Sequence, residues 1–114
     1  MKLRTTLSIA EDFSKSPVGR FRSDGPTSGV VFREEHLLPA LEAYDVVDVV
    51  LDGSNGYGSS FLEEAFGGLV RAKGISLEDF KRRVVLISKD DPTLVDEILG
   101  YVSDEVARQA AKHH

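Results

Sequence analysis

The chain has 114 residues, 41% hydrophobic and 29% charged, with a formal net charge of −5 and a pI near 5.1. That length suits one domain with one core, burying roughly 65% of the surface its unfolded chain exposes. An acidic chain lacks the concentrated basic surface that neutralises phosphates, which excludes a general nucleic-acid binder, and no apolar run reaches the roughly 20 residues of a membrane helix. With no cysteine there is neither a disulfide framework nor a thiolate zinc site, which fits a reducing compartment. Met1 to Ile9 alternates in polarity instead of forming the apolar block of a signal peptide, so a cytoplasmic protein without a membrane partner is expected.

Lys2 to Ile9 places Leu3, Thr5, Leu7 and Ile9 on one face and Lys2, Arg4, Thr6 and Ser8 on the other, the period of a half-buried outer strand. Ser14 to Gly25, with Pro17, Gly19 and Gly25 around Arg20-Phe21-Arg22, reads as a loop with room for a short strand and a turn. Thr27 or Ser28 can cap a helix running to Tyr44 with Phe32, Leu37, Leu38 and Leu41 on its apolar face. Pro39 lacks an amide proton and clashes with the carbonyl four residues back, so this helix is expected to kink or divide near Leu38. Val46 to Leu51, apolar except for Asp48, and Val84 to Ile87, apolar throughout, are expected as central strands covered on both faces.

Between them, Phe61, Leu62, Ala65, Phe66, Leu69 and Val70 recur at helical spacing. Ser60-Phe61-Leu62-Glu63 has the form of a capping box, in which hydroxyl and carboxylate each satisfy a free amide. Gly67-Gly68 costs roughly 1 kcal/mol per glycine against alanine inside a helix, which predicts a close contact or an early helix end. Ser76 can start a short helix, and Asp91-Pro92 starts the last one, with Leu94, Val95, Ile98, Leu99 and Val102 on the core. Past Val106 the chain turns polar, so residues 105–114 are expected to fray, with His113 and His114 reading as an added tail.

The stretch L-D-G-S-N-G-Y-G-S-S-F-L-E-E-A-F-G-G-L, from Leu51 to Leu69, is the candidate site. Gly53 and Gly58 stand at the spacing of a phosphate-binding loop, but Ser59 occupies the position where that motif needs lysine, which argues against nucleotide hydrolysis. Free amides at the helix start still offer an anion site. Asp52, Glu63 and Glu64 are acidic groups for acid-base chemistry; the plainer reading is that Glu63 caps, Glu64 complements the helix dipole and Asp52 ends a strand. His36 has no ligand partner at metal spacing and reads as a boundary residue. Lys81-Arg82-Arg83 reads as a solvated helix end, and Arg20, Arg22 and Arg33 as solvated arginines or a cationic patch.

The run V-V-L-D-G-S-N-G-Y-G-S-S-F-L-E-E-A-F-G-G-L-V-R resembles the strand, loop and helix of STAS domains, the fold of bacterial anti-sigma factor antagonists. S-G-V-V-F-R-E-E together with G-Y-G-S-S-F-L-E-E-A-F-G-G-L is more closely similar to the STAS-like domains of unknown function, stand-alone proteins of phages and bacteria, with the likeness running over roughly residues 1–105. In the antagonists the loop reads D-S-S-G, and its first serine is phosphorylated by a kinase that is also the anti-sigma factor. The resemblance places that serine on Ser59, next to Ser60, the aspartate on Gly58 and the glycine on Phe61.

These readings predict an α/β fold: a STAS-like single domain over residues 1–114, with a small mixed β-sheet and packed helices. The expected function is a non-enzymatic protein-interaction module, a partner-switching regulator controlled by phosphorylation of Ser59 or Ser60. Its expected partner is a histidine-kinase-related ATPase or serine kinase; a homo-oligomer is left open, and no cofactor or metal is expected. The loop residues Asp52, Gly53, Asn55, Gly56, Tyr57, Gly58, Ser59 and Ser60 would meet that partner. The alternative is a small-molecule or nucleotide sensor using Gly53 to Ser60, and a third reading is an enzyme built on Asp52, Glu63 or Glu64.

Overall fold

The computed structural model describes residues 3–112. Three strands, β1 (Arg4–Ser8), β2 (Val46–Val50) and β3 (Val84–Ile87), form a parallel sheet in the order β1-β2-β3. Two continuous helices, α1 over residues 29–43 and α2 over residues 59–73, connect successive strands; α3 (Leu77–Arg83) precedes β3 and α4 (Thr93–Lys112) follows it. Crossovers that are all right-handed and all step the same way across a sheet leave their helices on one face. Burial agrees: Leu7, Val47, Val49 and Val84 on one face are buried, whereas Val46, Val50, Val85 and Ile87 on the other are only half-buried. The shortest molecular dimension, 25 Å, is that of two layers. No helix among the described residues is long and apolar enough to cross a membrane.

This arrangement corrects the expected place of Val84–Ile87. It is an edge strand, and only Val84 is fully buried. An unbroken apolar run does not distinguish one covered face from two, and strand order has no compositional signature. The first strand ends at Ser8 because Ser8 caps a helical turn over Ile9–Phe13, its hydroxyl accepting from the Glu11 amide at 3.2 Å. Lys2, expected in that strand, and the His113-His114 tail lie outside the described residues. Residues 14–28 form a strap with one short 3₁₀ turn, Arg22–Asp24, and no strand. The helix α4 continues to Lys112, through most of the stretch 105–114 expected to fray.

Helix starts follow the capping chemistry in three places. Ser28, fully buried, caps α1 by accepting from the Val31 amide at 3.3 Å; Ser76 caps α3 by accepting from Asp79 at 3.1 Å; and Asp91 accepts from the Thr93 amide at 3.2 Å where α4 begins. Pro39, which has no amide proton to donate, does not divide α1; instead the turn before it, Arg33–Leu37, widens to π geometry and the Leu38 amide donates to the carbonyl of Arg33.

The π turn Glu63–Gly67 in α2 has a different cause. The Gly68 amide donates to the carbonyl of Glu63, leaving the carbonyl of Glu64 to accept from Arg33 Nη1 at 2.7 Å. A side chain has entered the helical ladder. Glycines make room for it. A Cβ on Gly29 would stand 2.7 Å from the carbonyl oxygen of Phe61 and 2.9 Å from Cβ of Glu64, and one on Gly68 would collide with the Arg33 guanidinium. Gly67-Gly68 therefore marks a close contact and not an early end, as α2 runs on to Lys73. Phe32, at the crossing, packs on Phe61 at 6.0 Å and on Phe66 at 6.2 Å, and all three rings are fully buried.

Gly29→Ala is expected to destabilise the protein by about 1–3 kcal/mol in urea unfolding, because its methyl meets backbone that cannot move without displacing α2. Gly100→Ala, in α4 with nothing within 4 Å, should stabilise by about 1 kcal/mol. Equal effects of the two changes would refute the close crossing.

Candidate functional site

The loop between β2 and α2 is held from several sides. Asp52 Oδ1 accepts from the amides of Lys89 and Asp90, both at 2.8 Å, tying the exits of β2 and β3 together. The Asn55 amide donates to the Lys15 carbonyl and its Nδ2 to Ser16 Oγ, each at 2.7 Å. Gly53 and Gly56 adopt φ of 89° and 132°, which other residues rarely enter. Tyr57 donates its hydroxyl to the Leu51 carbonyl at 2.7 Å and lies near-parallel to Phe61 with ring centres 6.0 Å apart.

Ser59 and Ser60 begin α2, and both are exposed. Among the described residues neither side-chain hydroxyl makes a hydrogen bond. The expected capping box is absent. The cap residue is Gly58, which makes no side-chain bond, so Ser60 already lies inside the first turn, and Glu63 is drawn away by arginines. Beside the loop lies a hollow of about 280 Å³ whose charged lining groups, among the described residues, are Asp52, Asp90, Asp91 and Glu97. An anion entering it meets repulsion. Among the described residues no group of histidines and carboxylates is arranged to hold a metal ion.

The three carboxylates read together from the sequence do not converge. Asp52 serves the loop, while Glu63 and Glu64 enter a network with Arg20, Arg33, Arg71 and Glu105. Arg33 and Glu64, 8% and 7% exposed, pair at 2.7 Å between α1 and α2. Arg20, on the strap, bonds Glu63 and also reaches Glu64 at 3.3 Å. Arg71 donates to Glu63 at 2.7 Å and to Glu105 at 2.8 Å, joining α2 to α4. Glu64 thus neutralises a buried guanidinium, not the helix dipole. The reading of Arg20, Arg22 and Arg33 as solvated arginines holds only for Arg22, which pairs at the surface with Glu34 and Glu35, each at 2.8 Å; Arg20 and Arg33 belong to this network, so the alternative of a cationic patch has no support either. Arg83, expected in a solvated end, donates to the carbonyls of Leu41, Tyr44 and Asp45. His36 is half-buried against Phe13, with ring centres 5.1 Å apart.

The network floors an open cleft of about 590 Å³ that Phe21, Tyr101, Asp104 and Arg108 complete. Sequence reasoning missed Arg71 and Glu105. A signal existed for each: Arg71 lies two turns after Glu64 on one helix, and Glu105 continues the apolar stripe of Ile98 and Val102, where a carboxylate needs a partner. Hydrogen bonding by Arg71, with help from Arg20, holds the Glu63 carboxyl below the usual range despite its burial, and Glu63 in turn raises Arg71. Burial pushes Glu105 up, but Gln109, Arg108 and Arg71 together outweigh it and its value falls. Tyr101, donating to Glu97 at 2.6 Å, is pushed up to about 12.

Arg33, Glu63, Glu64 and Arg71 fall within the span of a known sequence family, whereas Arg20 and Glu105 lie outside it. A family model described as "STAS-like domain of unknown function (DUF4325)" matches residues 28–94. The chain belongs to that family. The match is narrower than the likeness over residues 1–105, but it opens on the α1 cap Ser28 and holds both stretches that meet at the Arg33–Glu64 pair. A STAS-like fold accords with the small parallel sheet and its packed helices. No curated protein and no solved structure matches the chain.

Glu63 and Glu105 have lowered folded-state values, so their contribution to stability is present above the unfolded carboxylate range and is lost as pH falls through the folded values. Stability to urea should therefore hold between about pH 6 and 8 and decline below about pH 4.5. Glu63→Gln should be less stable than the parent at neutral pH and lose less on acidification, so that the two curves converge in acid. Parallel curves would show that Glu63 does not contribute to the acid limb.

Proposed function

We propose that this STAS-like chain is a non-catalytic protein-interaction module, switched between partners by phosphorylation of Ser59. The observation that carries the reading is the exposed pair of serine hydroxyls, without side-chain hydrogen bonds, at the start of a 15-residue helix, on a loop braced by Asp52, Asn55 and Tyr57. A phosphate on the first helical residue adds nearly two negative charges where free amides and the helix dipole tolerate them. The carboxylates beside the loop already make that end of the molecule acidic, so the added charge sharpens a repulsion towards an acidic partner and an attraction towards an arginine-bearing one. The same carboxylates weigh against the nucleotide-sensor reading. The enzyme reading loses its carboxylate trio, since Asp52 is separated from the paired Glu63 and Glu64.

Co-expression with a histidine-kinase-related ATPase or a serine kinase, followed by intact-mass measurement, tests the switch. One added phosphate is expected on the parent and on Ser60→Ala, and none on Ser59→Ala; the phosphorylated chain should bind its partner at least about tenfold differently. A chain that is neither modified nor able to capture such a partner would sink the proposal. A calorimetric response to nucleotide that disappears in Ser60→Asp would favour the sensor instead.

A further inference from the structure

At the end of the sheet opposite the Ser59 loop, the helical layer contains a hollow of about 340 Å³. Its walls are Leu38 and Leu41 from α1, Leu69 from α2, Ile75 from the turn after it and Val84 at the start of β3. Leu69 and Val84 belong to the core, whereas Leu38, Leu41 and Ile75 are only half-buried beside it. Protein interiors are close-packed, so an apolar space of this size is an exception. The ends of the surrounding elements hold it open. Arg83 donates to the carbonyls of Leu41 at 2.6 Å and of Tyr44 and Asp45, both at 3.0 Å, fastening the end of α1 to that of α3. The Gly74 amide donates to the Val70 carbonyl at 2.7 Å and closes the end of α2.

We infer that this hollow binds a small aliphatic monocarboxylate, with the chain against the leucines and the carboxylate at Lys73 and Arg83. The walls set the body of the ligand: aliphatic side chains offer water no hydrogen bond, so an apolar chain gains by taking its place. Charge sets the head. The charged groups at the rim are Lys73, Arg83 and Glu42, two cations against one carboxylate in a chain of net charge −5. Among the described residues Lys73 makes no ion pair. Arg83 uses Nε and Nη2 on the three carbonyls, and its Nη1 makes no hydrogen bond among the described residues. The helix ends oppose an anion little, because Arg83 already satisfies carbonyls at the end of α1 and Lys73 stands in the last turn of α2. Glu42 defines the rival ligand, an aliphatic amine, which the experiment separates.

The volume sets the length. At about 30 Å³ for each water-sized group, 340 Å³ takes roughly six to ten carbons once the open mouth is allowed for. A ligand that small in a preformed apolar site binds with a Kd of about 0.1–1 mM. Ser59 and Lys73 are the first and last residues of α2, roughly 20 Å apart at about 1.5 Å per residue, so this site is separate from the proposed switch.

Amide-shift titration of the full chain with hexanoate, hexan-1-ol and hexylamine at neutral pH tests this. Hexanoate is expected to give saturable shifts centred on Leu41, Leu69, Lys73, Ile75 and Val84, with hexan-1-ol at least about threefold weaker and hexylamine weaker still. Lys73→Glu, at an exposed position, should weaken hexanoate at least about fivefold and leave hexan-1-ol unchanged. Leu41→Trp, which fills the hollow, should abolish both; where that variant does not fold, Lys73→Glu carries the test. No saturable shifts at about 20 mM hexanoate, shifts centred elsewhere, hexylamine binding as tightly as hexanoate, or a folded Lys73→Glu that binds hexanoate like the parent would each overturn the proposal.

Discussion

The guanidinium of Arg33 is the contact on which the helical layer depends. It lies almost out of water between α1 and α2, with one nitrogen donating to both the carboxylate and the main-chain carbonyl of Glu64. A buried charge of this kind stabilises little in net terms, but removing one partner leaves the other uncompensated and typically costs 3–5 kcal/mol. Its consequences extend through the local structure. Taking the Glu64 carbonyl opens the π turn in α2; the head group needs Gly68 to lack a side chain; and the close crossing it spans needs Gly29. Among the described residues the buried Arg33 Nε has no acceptor, a residual cost of about 1–3 kcal/mol that the pair must offset.

That dependence explains which parts of the fold were legible in the sequence. Period-2 alternation in β1, helical spacing in α2 and the caps at Ser28, Ser76 and Asp91 are local rules, and the structure follows them. The failures are tertiary. Ser60-x-x-Glu63 has every local feature of a capping box, yet Glu63 gains more from Arg20 and Arg71 than from one amide. Val84 to Ile87 reads as a doubly covered strand because composition records burial and not the side it comes from. The glycine pair was readable as an anomaly, and its meaning required the partner 35 residues earlier, Arg33 against Gly68.

The two stretches that carried the family resemblance are the two sides of this crossing. S-G-V-V-F-R supplies the cap, the crossing glycine and the buried arginine, and E-E-A-F-G-G supplies the carboxylates and the space. This places the most recognisable part of the sequence in packing. The loop that invites a functional reading, Asp52 to Ser60, contributes less to that signature and more to the surface. Its glycines shape the turn, and its carboxylate neighbours are wrong for a phosphate-binding loop, so the weight falls on its hydroxyls.

The rigidity around those hydroxyls limits how a switch there can act. Phe61 and Leu62, next in the chain, are fully buried, and one turn further Glu63 and Glu64 are clamped by Arg20, Arg33 and Arg71. Moving the start of α2 would unpack aromatic rings and break buried ion pairs at a cost of several kcal/mol, more than the 0.3–1 kcal/mol that a charge gains from a helix dipole at an exposed terminus. A phosphate on Ser59 would therefore leave the fold in place and alter the surface potential at the helix start. Under the proposed switch, partner choice governed by Ser59 would be a matter of electrostatic complementarity on a fixed scaffold, and a partner able to discriminate would have to bring its own charges to that end of α2.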